Sequence, residues 1–126
     1  VVIRIVRSWA EACERAGLDV REPESLAALD FLHTRHGPTD RYMSGQMTCD
    51  EYVRTVSEGI GGLYSTGEVL RLHEAWTIDD EPGIADLIGS LNRAGLTTAC
   101  LSNTNPTHWR ILTEDRRSPA IAALSR

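Results

Sequence analysis

Lysine is missing altogether: all thirteen basic residues are arginine. Cysteine is scarce and poorly spaced for chemistry. The three, Cys13, Cys49 and Cys100, form no CxxC pair and cannot pair completely. Reduced thiols and a cytoplasmic location are the expectation. A basic surplus is lacking too, since 18 acids against 13 bases leave a formal net charge of -5 and a pI near 5.3. Displacing counterions from a nucleic-acid backbone needs that surplus, so no nucleic-acid partner is expected. No apolar run approaches the roughly 20 residues of a membrane span, and no signal-peptide pattern opens the chain, so no membrane partner is expected either. The first residue is Val1 rather than Met; processing or truncation would explain that.

What is present suits one small domain or a contiguous piece of a larger one: 126 residues, 41% hydrophobic and 25% charged. A chain of that size can bury about two-thirds of its unfolded surface. Val1 to Val6 is β-branched apart from Arg4 and predicts a short strand. Ser8 with Glu11 has capping-box spacing, Trp9, Ala12, Cys13 and Ala16 repeat at helical spacing, and Gly17 is placed to end the helix. A second helix is predicted from Pro23 to about His36, broken by Gly37-Pro38. Thr39 to Gln46 reads as polar and turn-rich. Thr48 with Glu51 and Ser65 with Glu68 open two further helices, one with Tyr52, Val53 and Val56 on one face, the other with Val69, Leu72, His73 and Trp76 repeating at helical spacing. Asp79-Asp80-Glu81 stops the latter.

Pro82 suits a first helical turn, Ile84, Leu87, Ile88 and Leu91 form an apolar face, and Gly95 closes that helix. The acids at 79–81 suit its positive end. Leu96 to Leu101 (LTTACL) is uncharged and predicts a buried parallel strand. Ser102-Asn103-Thr104-Asn105 follows at once, and Asn105-Pro106 reads as the cap and first turn of another helix. Ser118 to Arg126 predicts a last short helix. Helices up to residue 80, then helix, strand, polar turn and helix, suggest a helical subdomain attached to a fragment of an α/β layer.

Ligands of open α/β sheets bind beyond the carboxyl ends of strands, where Ser102, Asn103 and Thr104 fall. Two hydroxyls, an amide and several N–H groups there favour an anion such as phosphate, although a polar quartet that only turns the chain and caps a helix has the same composition. The run from Pro82 to Asn105, P-G-x3-L-I-x2-L-x3-G-L-x5-S-N-T-N, resembles the second signature of the haloacid dehalogenase-like (HAD) hydrolases. The order of a β-branched run, Ser8-Trp9, several helices and Pro82-Gly83 resembles the same superfamily's helical-cap type. The resemblance implies a Rossmann-like α/β core fragment with a predominantly α-helical cap, helix-dominated overall. It divides the chain into a core lead-in at 1–7, a cap at 8–80 and a partial core at 81–126 with the second-motif strand and turn.

The resemblance also implies chemistry. A complete relative would hydrolyse a small phosphorylated metabolite through an aspartyl-phosphate, with Mg²⁺ as cofactor and a lysine to neutralise charge, because a trianionic transition state needs donors and cations held in place. Carried over, Ser102 is the phosphoryl-binding hydroxyl and Asn103 positions it or the substrate. The pattern also has gaps. The nucleophile segment would precede Val1, the later acidic motif would follow Arg126, and lysine is absent. These residues are therefore expected to hold no catalytic or metal-binding group and to be inactive alone, in a truncated product, an incomplete gene model or a fragment. The alternative is a non-catalytic binding or interaction module. Residues 96–101 would lack their strand neighbour, so Val1 to Ile5 or a second chain is expected to cover them.

Other candidates have plainer explanations. His33 and His36 have no acidic or cysteine companion for zinc. His73 reads as a histidine at the core edge. His108 follows the Ser-Asn turn closely enough to approach a substrate, with capping or exposure as the simpler role. Gly59 to Gly62 lacks the G-K-[ST] of a phosphate loop. Trp9, Trp76 and Trp109 read as core anchors, Cys100 as an inert thiol in a buried strand, and Asp79-Asp80 as helix-dipole acids rather than metal ligands.

Overall fold

The computed structural model describes residues 2–22, 35–115 and 118–124. The helix expected from Pro23 falls mostly outside that range, as does His33. The described chain forms two compact units, residues 6–76 and residues 1–5 with 77–126. Among the described residues helices dominate and the sheet has two strands.

Among the described residues, 6–76 hold four helices: α1 (Trp9–Ala16), α2 (Pro38–Met43), α3 (Cys49–Gly59) and α4 (Thr66–Ala75). Their starts follow the caps in the sequence. Ser8, Thr48 and Ser65 each accept the N–H of the residue three positions on, and Thr48 and Ser65 complete reciprocal capping boxes with Glu51 and Glu68. Gly17 ends α1 with φ +69°, and the Leu18 N–H then reaches the Cys13 carbonyl at 2.9 Å. A β-carbon is disfavoured in that conformation. The segment 39–46, expected as turns, instead contains α2: Pro38 occupies its first turn, and Tyr42 stacks on Tyr52 of α3 with ring centroids 4.9 Å apart. Tertiary packing overrides a weak local signal here. His73 lies against both rings, at 5.6 and 5.0 Å, half-buried at the core edge.

Tyr64 organises this unit. Its ring is fully buried and meets Trp9 edge-on at 5.9 Å. Its hydroxyl donates to the Asp19 carbonyl and accepts the Arg21 N–H, both at 2.8 Å, with the Cys13 thiol 3.5 Å away. Burial, then the Cys13 contact, pushes the phenol upward. Arg21 lies over the same ring, 4.8 Å from its centroid, and forks onto Glu68 at 2.7 and 2.9 Å. The chain beyond α1 is thereby fastened to the first turn of α4.

The second unit is built differently. β1 (Ile3–Ile5) pairs antiparallel with β2 (Thr77–Asp80), with Arg4 opposite Asp79 and a bulge between Arg4 and Ile5. Thus β1 pairs with β2 rather than covering residues 96–101, and residues 77–80 form a strand where a helix stop was expected. The bond from Glu81 N–H to the Val2 carbonyl extends the pairing. α5 (Ile84–Arg93) starts at Gly83, just beyond Pro82; α6 (Pro106–Arg110) runs into a π-helical turn (Ile111–Asp115), and α7 (Pro119–Ala122) follows. Asp80 is directed to α7: it accepts the Ser118 hydroxyl and the Ala120 N–H, at 2.5 and 2.7 Å. The expected role for that acid at the positive end of α5 therefore transfers to α7.

Burial is uneven. Among the described residues, thirteen buried apolar residues lie in 6–76, among them Val56, Val69 and Leu72, and four in the other unit: Ile88, Ile111, Leu112 and Ala120. Of the apolar face expected on α5, only Ile88 is buried, and Leu87 is 53% exposed.

Two outcomes follow for residues 6–76. Tyr64→Phe leaves the Asp19 carbonyl and the Arg21 N–H without the hydroxyl, and urea unfolding is expected to show a loss of about 1–3 kcal/mol. The Arg21 side chain, then the Ser65 N–H, lowers the Glu68 carboxyl from 4.5 to about 2. A depressed folded value means stabilisation complete above pH 4.5 and lost as the pH falls toward 2. Glu68→Gln is expected to flatten the decline of Tm across that window; an unchanged slope would refute the assignment.

Candidate anion-binding corner

The segment from Leu96 to Asn105 lies outside any helix or strand. Two bonds hold its start to α5: Leu96 N–H to the Leu91 carbonyl at 3.1 Å and the Thr98 hydroxyl to Asn92 Oδ1 at 2.8 Å. Asn92 also donates to the Ala123 carbonyl, just past α7, at 2.7 Å. The strand expected at 96–101 is therefore absent from the sheet of the described residues, and its apolar residues are uncovered: Leu96 is 56% exposed and Leu101 103%. Cys100, expected to be buried and inert, is exposed. The composition called for burial, but among the described residues no strand pairs with it.

Ser102 and Asn103 follow, both exposed, and among the described residues neither side chain makes a hydrogen bond. Asn105 ends the corner. It is 6% exposed, and its Oδ1 accepts the His108 N–H at 3.0 Å, capping α6 as expected. With the oxygen so engaged, the amide nitrogen faces His108 Nδ1 at 3.1 Å. An amide NH₂ only donates, so Nδ1 accepts, and neutral His108 carries its proton on Nε2. This link lay in the spacing Asn-Pro-x-His, which puts histidine at the third helical position, but its direction depends on a rotamer.

The remaining candidates lie elsewhere. His36, with φ +64°, is exposed beside Asp40, its Nδ1 3.8 Å from that carboxylate. Gly61 and Gly62 turn the chain after α3 with positive φ. Trp9 and Trp76 are half-buried; Trp109, expected in the core, is 43% exposed. An open pocket of about 320 Å³ beside β2 is lined by Arg4, Asp79, Asp80, Glu81 and Asp86 and excludes Ser102 and Asn103. Its carboxylates outnumber its one guanidinium, so it repels a phosphate. Among the described residues no group of three or more His, Cys, Asp or Glu could hold a metal ion, so the oxygen-rich shell of Mg²⁺ has no counterpart there. Among the same residues no helix is long and apolar enough to cross a membrane.

This architecture, helix-dominated with two short strands, matches part of a HAD-family structure. A HAD family enzyme of Bacteroides thetaiotaomicron, in complex with magnesium and inorganic phosphate, superposes with a TM-score of 0.67 at 20% identity, over 91% of this chain and 54% of that one. An aspartate-to-alanine mutant of that enzyme, also with magnesium and phosphate, gives 0.66 at 20% identity, over 91% and 55%. The chain thus spans about half the length of the structures it matches. No family model and no curated protein matches the sequence.

Asn105 separates capping from tautomer. Asn105→Ala is expected to cost about 1 kcal/mol through the lost cap. Asn105→Asp keeps the cap but places a carboxylate against Nδ1 and is expected to move the proton from Nε2 to Nδ1. Long-range ¹H–¹⁵N NMR of the imidazole reads that exchange directly.

Proposed function

We propose that these residues are the cap and second-motif part of a HAD-like phosphatase for small phosphorylated metabolites, with residues 6–76 serving as the cap. On this reading Ser102 and Asn103 bind the phosphoryl group. What supports it above all is the corner itself: exposed Ser102 and Asn103 directly before the Asn105-capped helix, in a chain whose fold matches a HAD family enzyme over 91% of its length. A serine Oγ and an amide NH₂ donate to phosphoryl oxygens without taking up a proton. Two exposed neutral donors hold a phosphate; they do not break its ester. Covalent catalysis splits the reaction only if a carboxylate attacks phosphorus, and no Asp or Glu lies between Ile88 and Leu112. The proposal therefore assigns substrate binding to this corner and attack to a carboxylate that these residues do not bring to it. Mg²⁺ would belong with that carboxylate, because the described acids do not form its shell.

A binding module without catalysis is the second reading. The well-filled core of 6–76, beside the thin one of the other unit, favours it.

Phosphate separates the two. With Mg²⁺ and p-nitrophenyl phosphate, the 126-residue chain is expected to release no phosphate above background. Titration with inorganic phosphate is expected to move the amide signals of Ser102 and Asn103. Ser102→Ala removes an exposed donor worth a net of about 0.5–1.5 kcal/mol and is expected to weaken binding roughly twofold to tenfold. Turnover by the chain alone would overturn the division of labour. Unmoved signals at Ser102 and Asn103 would leave only the binding module.

A further inference from the structure

The geometry points to Asn92 as a positioning residue for the corner at Ser102 and Asn103. The inference rests on the phosphoryl reading of that corner and names what holds it in place. Asn92 lies in the last turn of α5 and uses both ends of its amide. The Ala123 carbonyl, 2.7 Å away, can only accept, so the amide nitrogen faces it and donates. That leaves Oδ1 toward the Thr98 hydroxyl, which donates at 2.8 Å. The amide's orientation is thus set by a backbone atom, not by the hydroxyl it serves. One side chain joins α5, the residue just past α7 and the segment that leads into the corner. Asn92 and Thr98 are both half-buried, where water competes less for these bonds.

The anchor at Ala123 is itself fixed. Asp80 holds the start of α7 through the Ser118 hydroxyl and the Ala120 N–H, and Ala123 lies at the other end of that helix. All of these groups belong to one unit. The corner is therefore strung between two asparagine amides. Thr98, four residues before Ser102, is fastened by Asn92, and Asn105, two residues after Asn103, caps α6 through its Oδ1. With residues 99–104 tied at both ends, fewer conformations are open to Ser102 and Asn103. Less ordering entropy is then lost when a phosphoryl group binds. Releasing Thr98 adds that loss to the binding step.

NMR of the 126-residue chain and its variants tests this. Asn92→Ala removes both bonds. Thr98→Val keeps the β-branched shape and the tie from α5 to Ala123 but removes the hydroxyl, and Thr98→Ser retains the hydroxyl. In the first two, the ¹⁵N heteronuclear NOE of residues 99–103 is expected to fall. Inorganic phosphate, followed at the Ser102 and Asn103 amide signals, is expected to bind them about twofold to tenfold more weakly. Thr98→Ser is expected to match the unsubstituted chain in both measurements, and the double variant Asn92→Ala/Thr98→Val to bind no more weakly than Asn92→Ala. If Asn92 only ties α5 to α7, Asn92→Ala lowers Tm while Thr98→Val changes neither the NOE nor phosphate affinity. That pattern would sink the inference and leave the phosphoryl reading standing. Signals of the unsubstituted chain that ignore phosphate would sink the phosphoryl reading, and this role of Asn92 with it.

Discussion

The pairing of β1 with β2 is the constraint from which the rest of the architecture follows. It joins residues 3–5 to residues 77–80, so the unit they share is discontinuous in sequence and everything between must leave and return at the same ladder. Closing so long a loop is costly in entropy, but that cost grows only logarithmically with length. Residues 6–76 fold around their own core, and the Val6 N–H meets the Trp76 carbonyl at 2.9 Å, so their ends lie together. An inserted unit with adjacent ends restrains the two strands before they pair, which lowers the loop cost they must offset. Asp80 then extends the effect: one carboxylate at the end of β2 holds Ser118 and the first turn of α7. Where few apolar side chains are buried, such polar ties determine more of the arrangement.

The two units therefore depend on different forces. In 6–76, capping boxes set where helices begin, and a buried aromatic group around Tyr64 and Tyr52 sets how they pack. In the other unit α5 leaves Leu87 half out of its packing and the following segment leaves Leu96 and Leu101 uncovered. Apolar area kept in water is stabilisation forgone, at roughly 25 cal/mol per Å². That unit gains more than the other from any surface that covers it.

These differences explain what could be read in advance. Ser8, Thr48, Ser65 and Asn105 were legible as caps because a cap is a local hydrogen bond between a side chain and a backbone three residues away. Gly17 was legible because left-handed backbone selects glycine. β2 was not: Thr77-Ile78-Asp79-Asp80 has poor strand composition, and it is the distant β1, with Arg4 opposite Asp79, that makes it a strand. α2 was hidden for a similar reason, since Tyr42 gains its burial from Tyr52 on another helix. The LTTACL run failed in the opposite sense. Its composition states the surroundings it suits, and those surroundings are not supplied by the described residues. At the corner, Ser102 and Asn103 were read as lying at a strand tip, but the run before them is not a strand among the described residues, and the Asn105–His108 link required knowing which amide atom the helix cap had already taken.

The charge-free stretch from Ala94 to Trp109 sets a ceiling on what the proposed phosphoryl site could do. Hydroxyl, amide and backbone dipoles hold an anion over short range only, and at an exposed site water competes for every donor, so each contributes a modest net amount. A trianionic transition state gains far more from a fixed cation a few ångströms away, and the gain rises steeply once water is excluded. With no lysine in the chain and no arginine between Arg93 and Arg110, a phosphoryl group bound there as proposed would find little that favours its transition state over its ground state. Catalysis needs that difference. On the proposed reading such a corner would orient the phosphoryl group, and the charge that lowers the barrier would have to come from other groups.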